Sequence, residues 1–221
     1  MRVCSPWMKA CLLLAVLPTL AVADAPKHDA VTPVPRAGGW MQRHESMNER
    51  VKQGNVDLLL IGDSITQGWE GAGKAAWAKH YGDRNAVNLG IGGDRTQHVL
   101  WRLDNGNIEG ISPKLAVLMI GTNNSGTNTS EQIADGIKAI VEKLTTKLPE
   151  TQVLILGIFP RGADESDAKR QVNEKANAMA AKLADGKRVH YLDIGKSFLE
   201  SDSTRIKKII PYILDLSTQG H

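Results

Sequence analysis

The sequence predicts a single α/β domain of three layers around a mainly parallel five-stranded sheet. Three observations carry that expectation. Short apolar runs alternate with stretches of helical periodicity along most of the chain, as strand–helix–strand units do. The runs are apolar throughout rather than at every second residue, as strands buried on both faces require. Four of them give way to polar, glycine-rich segments suited to turning a strand into a helix.

The first residues are not part of that pattern. Arg2 and Lys9 precede the apolar run Ala10–Ala23, which ends in Ala21-Val22-Ala23. A basic start, a short apolar core and an A-x-A site describe a secretory signal over residues 1–23, cleaved after Ala23. The run is short for a membrane span and is interrupted by Pro18. Met8-Lys9-Ala10 lacks the apolar residues that a lipoprotein site at Cys11 would need. Residues 24–37 carry Pro26, Pro33 and Pro35 without apolar periodicity and read as a linker or a draped arm.

The domain proper is expected over residues 38–221. Trp40–Lys52 has helical spacing and ends near Gly54. Strands are expected at Val56–Ile61, Ala86–Leu89, Leu115–Ile120, Val153–Ile158 and Val189–Leu192. Helices fit Ala75–Tyr81, Thr96–Leu103, Glu131–Leu148 and Lys169–Leu183, with Ser130 as the cap of the third. There is no internal repeat and no second hydrophobic run to build another core.

Composition narrows the function. Of 221 residues, 42% are hydrophobic and 23% charged, which excludes a disordered or fibrous chain. The 27 basic and 24 acidic side chains leave +3, too little for a nucleic-acid footprint. Cys4 and Cys11 both lie in the first dozen residues. That excludes a disulfide scaffold, a cysteine metal site and a cysteine nucleophile in the folded part. Losing residues 1–23 removes Arg2 and Lys9, leaving 25 basic residues against 24 acidic and no thiol. An exported protein, periplasmic or extracellular, is expected, without a metal or cofactor.

Ligands of an open parallel sheet sit beyond the carboxyl ends of its strands. The segments there are Gly62-Asp63-Ser64, Gly90–Asp94, Gly121-Thr122-Asn123-Asn124 and Phe159-Pro160-Arg161-Gly162. A serine entering a helix has its N–H near the helix N-terminus, where an anion is favoured. Ser64 therefore suits a nucleophile whose own amide stabilises an oxyanion; as a mere helix cap it would serve equally well. Thr66 stands where the nucleophile elbow G-x-S-x-G needs glycine. Gly68–Lys74 imitates a phosphate loop, but Ala75 follows where a hydroxyl should hold magnesium. Gly90-x-Gly92-Gly93 fails the dinucleotide pattern, because Arg95 fills the third glycine position. Glycines allow close approach of a backbone N–H to a substrate oxygen, and an Asn amide can donate a second bond. Each segment alone is also an ordinary tight turn. Three at successive strand ends point to one acyl-transfer site.

Gly62-Asp63-Ser64-Ile65, Asn88–Gly93 and Gly121-Thr122-Asn123-Asn124 resemble the first three blocks of the GDSL/SGNH hydrolases. Asn88–Leu103 is most similar to the branch containing the catalytic subunits of intracellular platelet-activating-factor acetylhydrolase and their bacterial relatives. Phe159–Gly162, Arg170–Asn173 and Ser201-Asp202 follow in the same order, so the resemblance covers roughly residues 40–220. It implies a flavodoxin-like fold, a Ser64 nucleophile and an oxyanion hole from the Ser64 and Gly93 amides with the Asn123 side chain. Asp63 is implied to support the site rather than to react. The implied substrate is a small lipid or carbohydrate acyl ester, and a homodimer is left open.

The last block departs from the family. Members carry an Asp and, three residues later, a His; here Tyr212 and Asp215 occupy those positions. The chain stops at His221, where members continue into a closing helix, so a C-terminally shortened domain is expected. Serine needs a neighbouring base, and His is the usual one because it titrates near neutrality. His98 falls inside a helix and reads as packing, His190 inside a strand, and His28, His44 and His80 in the arm or on helices. His221 is a terminal candidate. Two functions follow: a serine esterase for short acyl esters, or a non-catalytic binding protein on the same fold.

Overall fold

The computed structural model describes Met1 and residues 28–200. The signal segment, both cysteines, Tyr212, Asp215 and His221 lie outside the described residues.

Five strands form one wholly parallel sheet: β1 (Leu58–Gly62), β2 (Ala86–Gly90), β3 (Leu115–Met119), β4 (Gln152–Leu156) and β5 (Val189–Leu192). Their order is β2-β1-β3-β4-β5, the flavodoxin-like order in which direction reverses between the first strand's two neighbours. The α/β class, the five strands and the parallel sheet match the expectation. β1 is buried along its whole length, which is why its sequence shows no alternation. It starts two residues later than the apolar run. The Asp57 carbonyl instead accepts from the Lys114 and Leu115 amides, and its carboxylate pairs with Lys114 at 2.9 Å.

The helices are α1 (Gly39–Lys52), α2 (Ser64–Gln67), α3 (Lys74–Tyr81), α4 (Thr96–Asp104), α5 (Ser130–Lys147) and α6 (Ala168–Ala180). α1 buries Trp40, His44, Met47 and Val51, a stripe at the helical period. α5 does the same with Ile133, Ile137, Ile140 and Leu144 and packs between α4 and α6. Its cap is Thr129, not Ser130. Thr129 Oγ1 accepts the Gln132 amide at 3.3 Å while Gln132 Oε1 accepts that of Thr129 at 3.2 Å. This reciprocal pair needs Gln three residues after the cap, and that spacing selects Thr129.

The proline-bearing segment before α1 is an arm laid on the domain rather than a linker. Ala30 is fully buried. Its carbonyl accepts the Thr96 hydroxyl at 2.7 Å, and the Val34 amide donates to the Gln97 carbonyl at 3.3 Å.

Candidate active site

β1 lies between β2 and β3, with Gly62 in register with Gly90 on one side and Met119 on the other. The segments after these strands therefore leave the sheet side by side. Close packing here requires glycine: a Cβ on Gly90 would collide with the Gln67 amide nitrogen and with Thr66. Asp63 is the cap of α2, its Oδ1 accepting the Ile65 amide at 3.0 Å. Ser64 is thus released from the capping role and becomes the first residue of the helix. Its hydroxyl and its N–H make no hydrogen bond to another described residue. α2 is a single turn, too short for the helix dipole to matter much. What it offers is an amide without a partner among the described residues.

Gly92 sits against Ser64: a Cβ added to it would stand 3.8 Å from the Ser64 Cβ. Its N–H donates to Gln67 Oε1 at 2.7 Å and its carbonyl accepts Arg36 Nη1 at 2.8 Å. Gly93 follows with φ +74°, a conformation that favours glycine. Its N–H has no partner among the described residues. Asn123 Nδ2 donates to the Asp94 carbonyl at 2.9 Å and, at 3.4 Å, to Asp63 Oδ2. Ser64, Gly93 and Asn123 are therefore linked through the residues beside them, Asp63, Gly92 and Asp94. From the fourth segment, Arg161 Nη1 donates to the Thr122 carbonyl at 2.9 Å.

Beneath these turns lies a buried polar web that reading the sequence missed. Asp94 and Arg102 are both fully buried and paired at 2.9 Å. The second Asp94 oxygen accepts Trp40 Nε1 at 2.6 Å. Arg102 Nη1 donates to Asn107, and Asn107 Nδ2 to Asn48 at 2.6 Å. Trp40 stacks on His44 with centroids 5.7 Å apart and leans on Trp101 at 5.6 Å. The available signal was Arg102 among the buried apolar positions of α4. An arginine there needs a partner, and Asp94 is eight residues upstream. Behind block three, fully buried Asn124 bonds Thr96, Gln97 and Asn128.

Burial pushes the Asp63 carboxyl up to about 7; the Ile65 amide opposes the shift, the nearby Asp94 adds to it and Arg161 opposes it. Burial also raises Asp94, while Arg102, Trp40 and Arg36 pull it back. Asp94 stays the counter-charge of Arg102, since a buried guanidinium without one is far costlier.

His98 is pushed down to about 4 by burial and by Arg36, Arg95 and Arg102. Its Nδ1 accepts the Arg95 amide at 3.0 Å and its ring meets Trp40 edge-on. The packing role read from sequence fits this placement. His44 belongs to the web, His28 pairs with Asp135 and His190 with Gln152. Among the described residues no histidine is hydrogen-bonded to Ser64, and no group of His, Cys, Asp or Glu is arranged to hold a metal ion. Gly68–Glu70 forms a 3-10 turn and Lys74 opens α3, so the phosphate-loop imitation lies away from the strand end.

Residues 60–221 match the GDSL-like Lipase/Acylhydrolase family. The chain belongs to this family. It is 40% identical over 200 residues to the human platelet-activating factor acetylhydrolase IB subunit alpha1, covering 89% of this chain and 84% of that one. The chicken alpha2 subunit is 40% identical over 166 residues, covering 75% and 71%. A carbohydrate acetylesterase family member from Sinorhizobium meliloti has a similar fold, with TM-score 0.54 at 16% identity over 73% of this chain and 94% of that one. The chemistry of a GDSL-like acylhydrolase, cleavage of an acyl ester, is thus the frame for the site.

Proposed function

We propose that the chain is a serine esterase for short, acetyl-sized acyl esters of lipids or carbohydrates, with Ser64 as nucleophile. The observation that carries the reading is the pair of unpartnered amides, Ser64 N–H and Gly93 N–H, beside an unpartnered Ser64 hydroxyl. Attack by Oγ on the acyl carbonyl makes an oxyanion, and preorganised donors stabilise it. Asn123 is the third donor. Its 3.4 Å contact to Asp63 is too long to hold that amide hydrogen firmly, so the hydrogen is available to the substrate oxygen. The names of the relatives, acetylhydrolases, favour an acetyl-length acyl group.

The proton acceptor is the weak element. Tyr212 and Asp215 stand where the family pattern has Asp and His, and a carboxylate is a poor base for serine. The chain is therefore expected to hydrolyse an aryl acetate slowly, with the residue lost in Ser64→Ala. The double change Tyr212→Asp with Asp215→His is expected to raise turnover by orders of magnitude, since losing a triad base costs several powers of ten. Circular dichroism checks that both proteins fold. Ordinary esterase rates in the unrepaired chain, abolished by Ser64→Ala, would place the base elsewhere, and His221→Ala would then test the terminal histidine. No Ser64-dependent hydrolysis even after repair would favour the second reading, an ester-binding protein that keeps the pocket without the base. That reading draws on the same Tyr212 and Asp215.

We also propose export, with cleavage after Ala23, on the basic start, apolar core and A-x-A site. A mature N-terminus at Asp24 is the expected result of N-terminal sequencing; an intact Met1 would overturn it.

A further inference from the structure

We infer that Arg36, on the N-terminal arm, is a positioning residue for the Gly93 amide. The inference rests on the esterase reading above, which makes that amide an oxyanion donor. The Gly92 carbonyl and the Gly93 N–H belong to one planar trans peptide and point in opposite directions. Whatever holds the carbonyl therefore aims the N–H. Arg36 Nη1 holds it at 2.8 Å.

The peptide needs holding. Gly92 and Gly93 are successive glycines with the widest backbone freedom, and Gly93 is exposed. Among the described residues, the only other bond at Gly92 is its own N–H to Gln67 Oε1, which fixes the preceding peptide plane and leaves the Gly92–Gly93 plane to Arg36. The guanidinium is itself anchored. Nη1 lies 3.4 Å from Asp94 Oδ1, on a carboxylate already fixed by Trp40 and Arg102. The arm that carries it is fastened to α4 through Ala30 and to the turn before α5 through Asp29 and Asn128.

A charge role explains the contact less well. Asp94 has its counter-ion in fully buried Arg102. The Arg36 side chain is 38% exposed and its contact to Asp94 is long, at 3.4 Å. The shorter of its two contacts is to the neutral carbonyl.

The test uses the full chain, with Arg36→Ala and Arg36→Lys compared with wild type. Backbone ¹⁵N relaxation reads the Gly93 N–H directly. The expected order parameter is about 0.85 in the wild type and below about 0.6 in Arg36→Ala, with Ile91 and Asp94 unchanged. Lysine, a single donor, restores part of the order. In aryl acetate hydrolysis, kcat falls about 10- to 100-fold in Arg36→Ala with KM nearly constant, and Arg36→Lys recovers part of it. An unchanged Gly93 order parameter overturns the proposal, as does equal loosening of Ile91 and Asp94, which marks a general structural role. So does an unchanged Ser64-dependent kcat. If neither the wild type nor the chain repaired by Tyr212→Asp with Asp215→His shows Ser64-dependent hydrolysis, the esterase reading falls instead, and the order parameters alone decide whether Arg36 aims the amide.

Discussion

Two aromatic clusters among the described residues are built to opposite specifications. Under the ends of β1, β2 and β3, Trp40, His44 and Trp101 pack around the Asp94–Arg102 pair, and all but one of these residues are buried. Beside them in sequence, Trp69, Trp77 and Tyr81 meet with centroids 5.2 to 6.3 Å apart. That trio sits on α3 and the turn before it, and neither element buries any residue. The first cluster is drawn from α1, the turn after β2, and α4, so it cannot loosen without moving the turns that carry Gly93 and Asn123. The second is local in sequence and can open alone. Aromatic content by itself does not mark a core; what does is whether the polar edges of the rings are tied to distant elements, as Trp40 Nε1 is to Asp94.

The sharpest way to break this contrast is Arg102→Met. It strands the Asp94 charge in the interior, and losing one partner of a buried pair costs about 3–5 kcal/mol. Urea denaturation should read a loss of that order. Adding Asp94→Asn should recover part of it, because no charge then remains alone.

The next effect is a pH dependence. Asp63 unfolded titrates near 4, whereas folded it titrates at about 7. Between those values the folded chain holds a proton that the unfolded chain has lost, so the contribution of Asp63 to stability falls as pH rises from about 4 to about 7 and is level beyond. Asp63→Asn should remove that falling contribution; the profile left combines Asp94, whose pKa is also raised, with His98 and His44, whose lowered pKa values act in the opposite sense. Urea midpoints measured across this window check it, and a slope identical to wild type would contradict the raised carboxyl.

The smallest effect is expected in the half-buried cluster. Trp77→Ala removes aromatic pairs that contribute roughly 0.5–1.5 kcal/mol, so urea denaturation should read a loss of about 1 kcal/mol. Were it to cost as much as Arg102→Met, the distinction between the two clusters would collapse.

Much of the architecture was legible before any coordinates. The five strands follow from runs such as Leu58–Ile61 and Leu115–Met119, because burial on both faces leaves a local mark at every residue. Ser64, Gly93 and Asn123 were expected at the site because strand-end turns carry their own residue types and, together, a family resemblance, and the structure places all three in neighbouring turns after β1, β2 and β3. The cap of α5 was misplaced by one residue, since Thr129 and Ser130 both carry hydroxyls and only the reciprocal bond with Gln132 separates them.

The contacts that aim the site were not legible. Asp94 with Arg102, Asn123 with the Asp94 carbonyl and Arg36 with Gly92 join residues 8, 29 and 56 positions apart. Hydrophobic periodicity is a property of one element and reports which face is buried. Which polar groups then meet on that buried side depends on how the strand order brings separate loops together. Local residue patterns therefore suffice for the sheet and for the row of polar, glycine-rich turns at its edge. What holds those turns still is settled in three dimensions, because a buried polar group must find its partner wherever the chain crossings have put one.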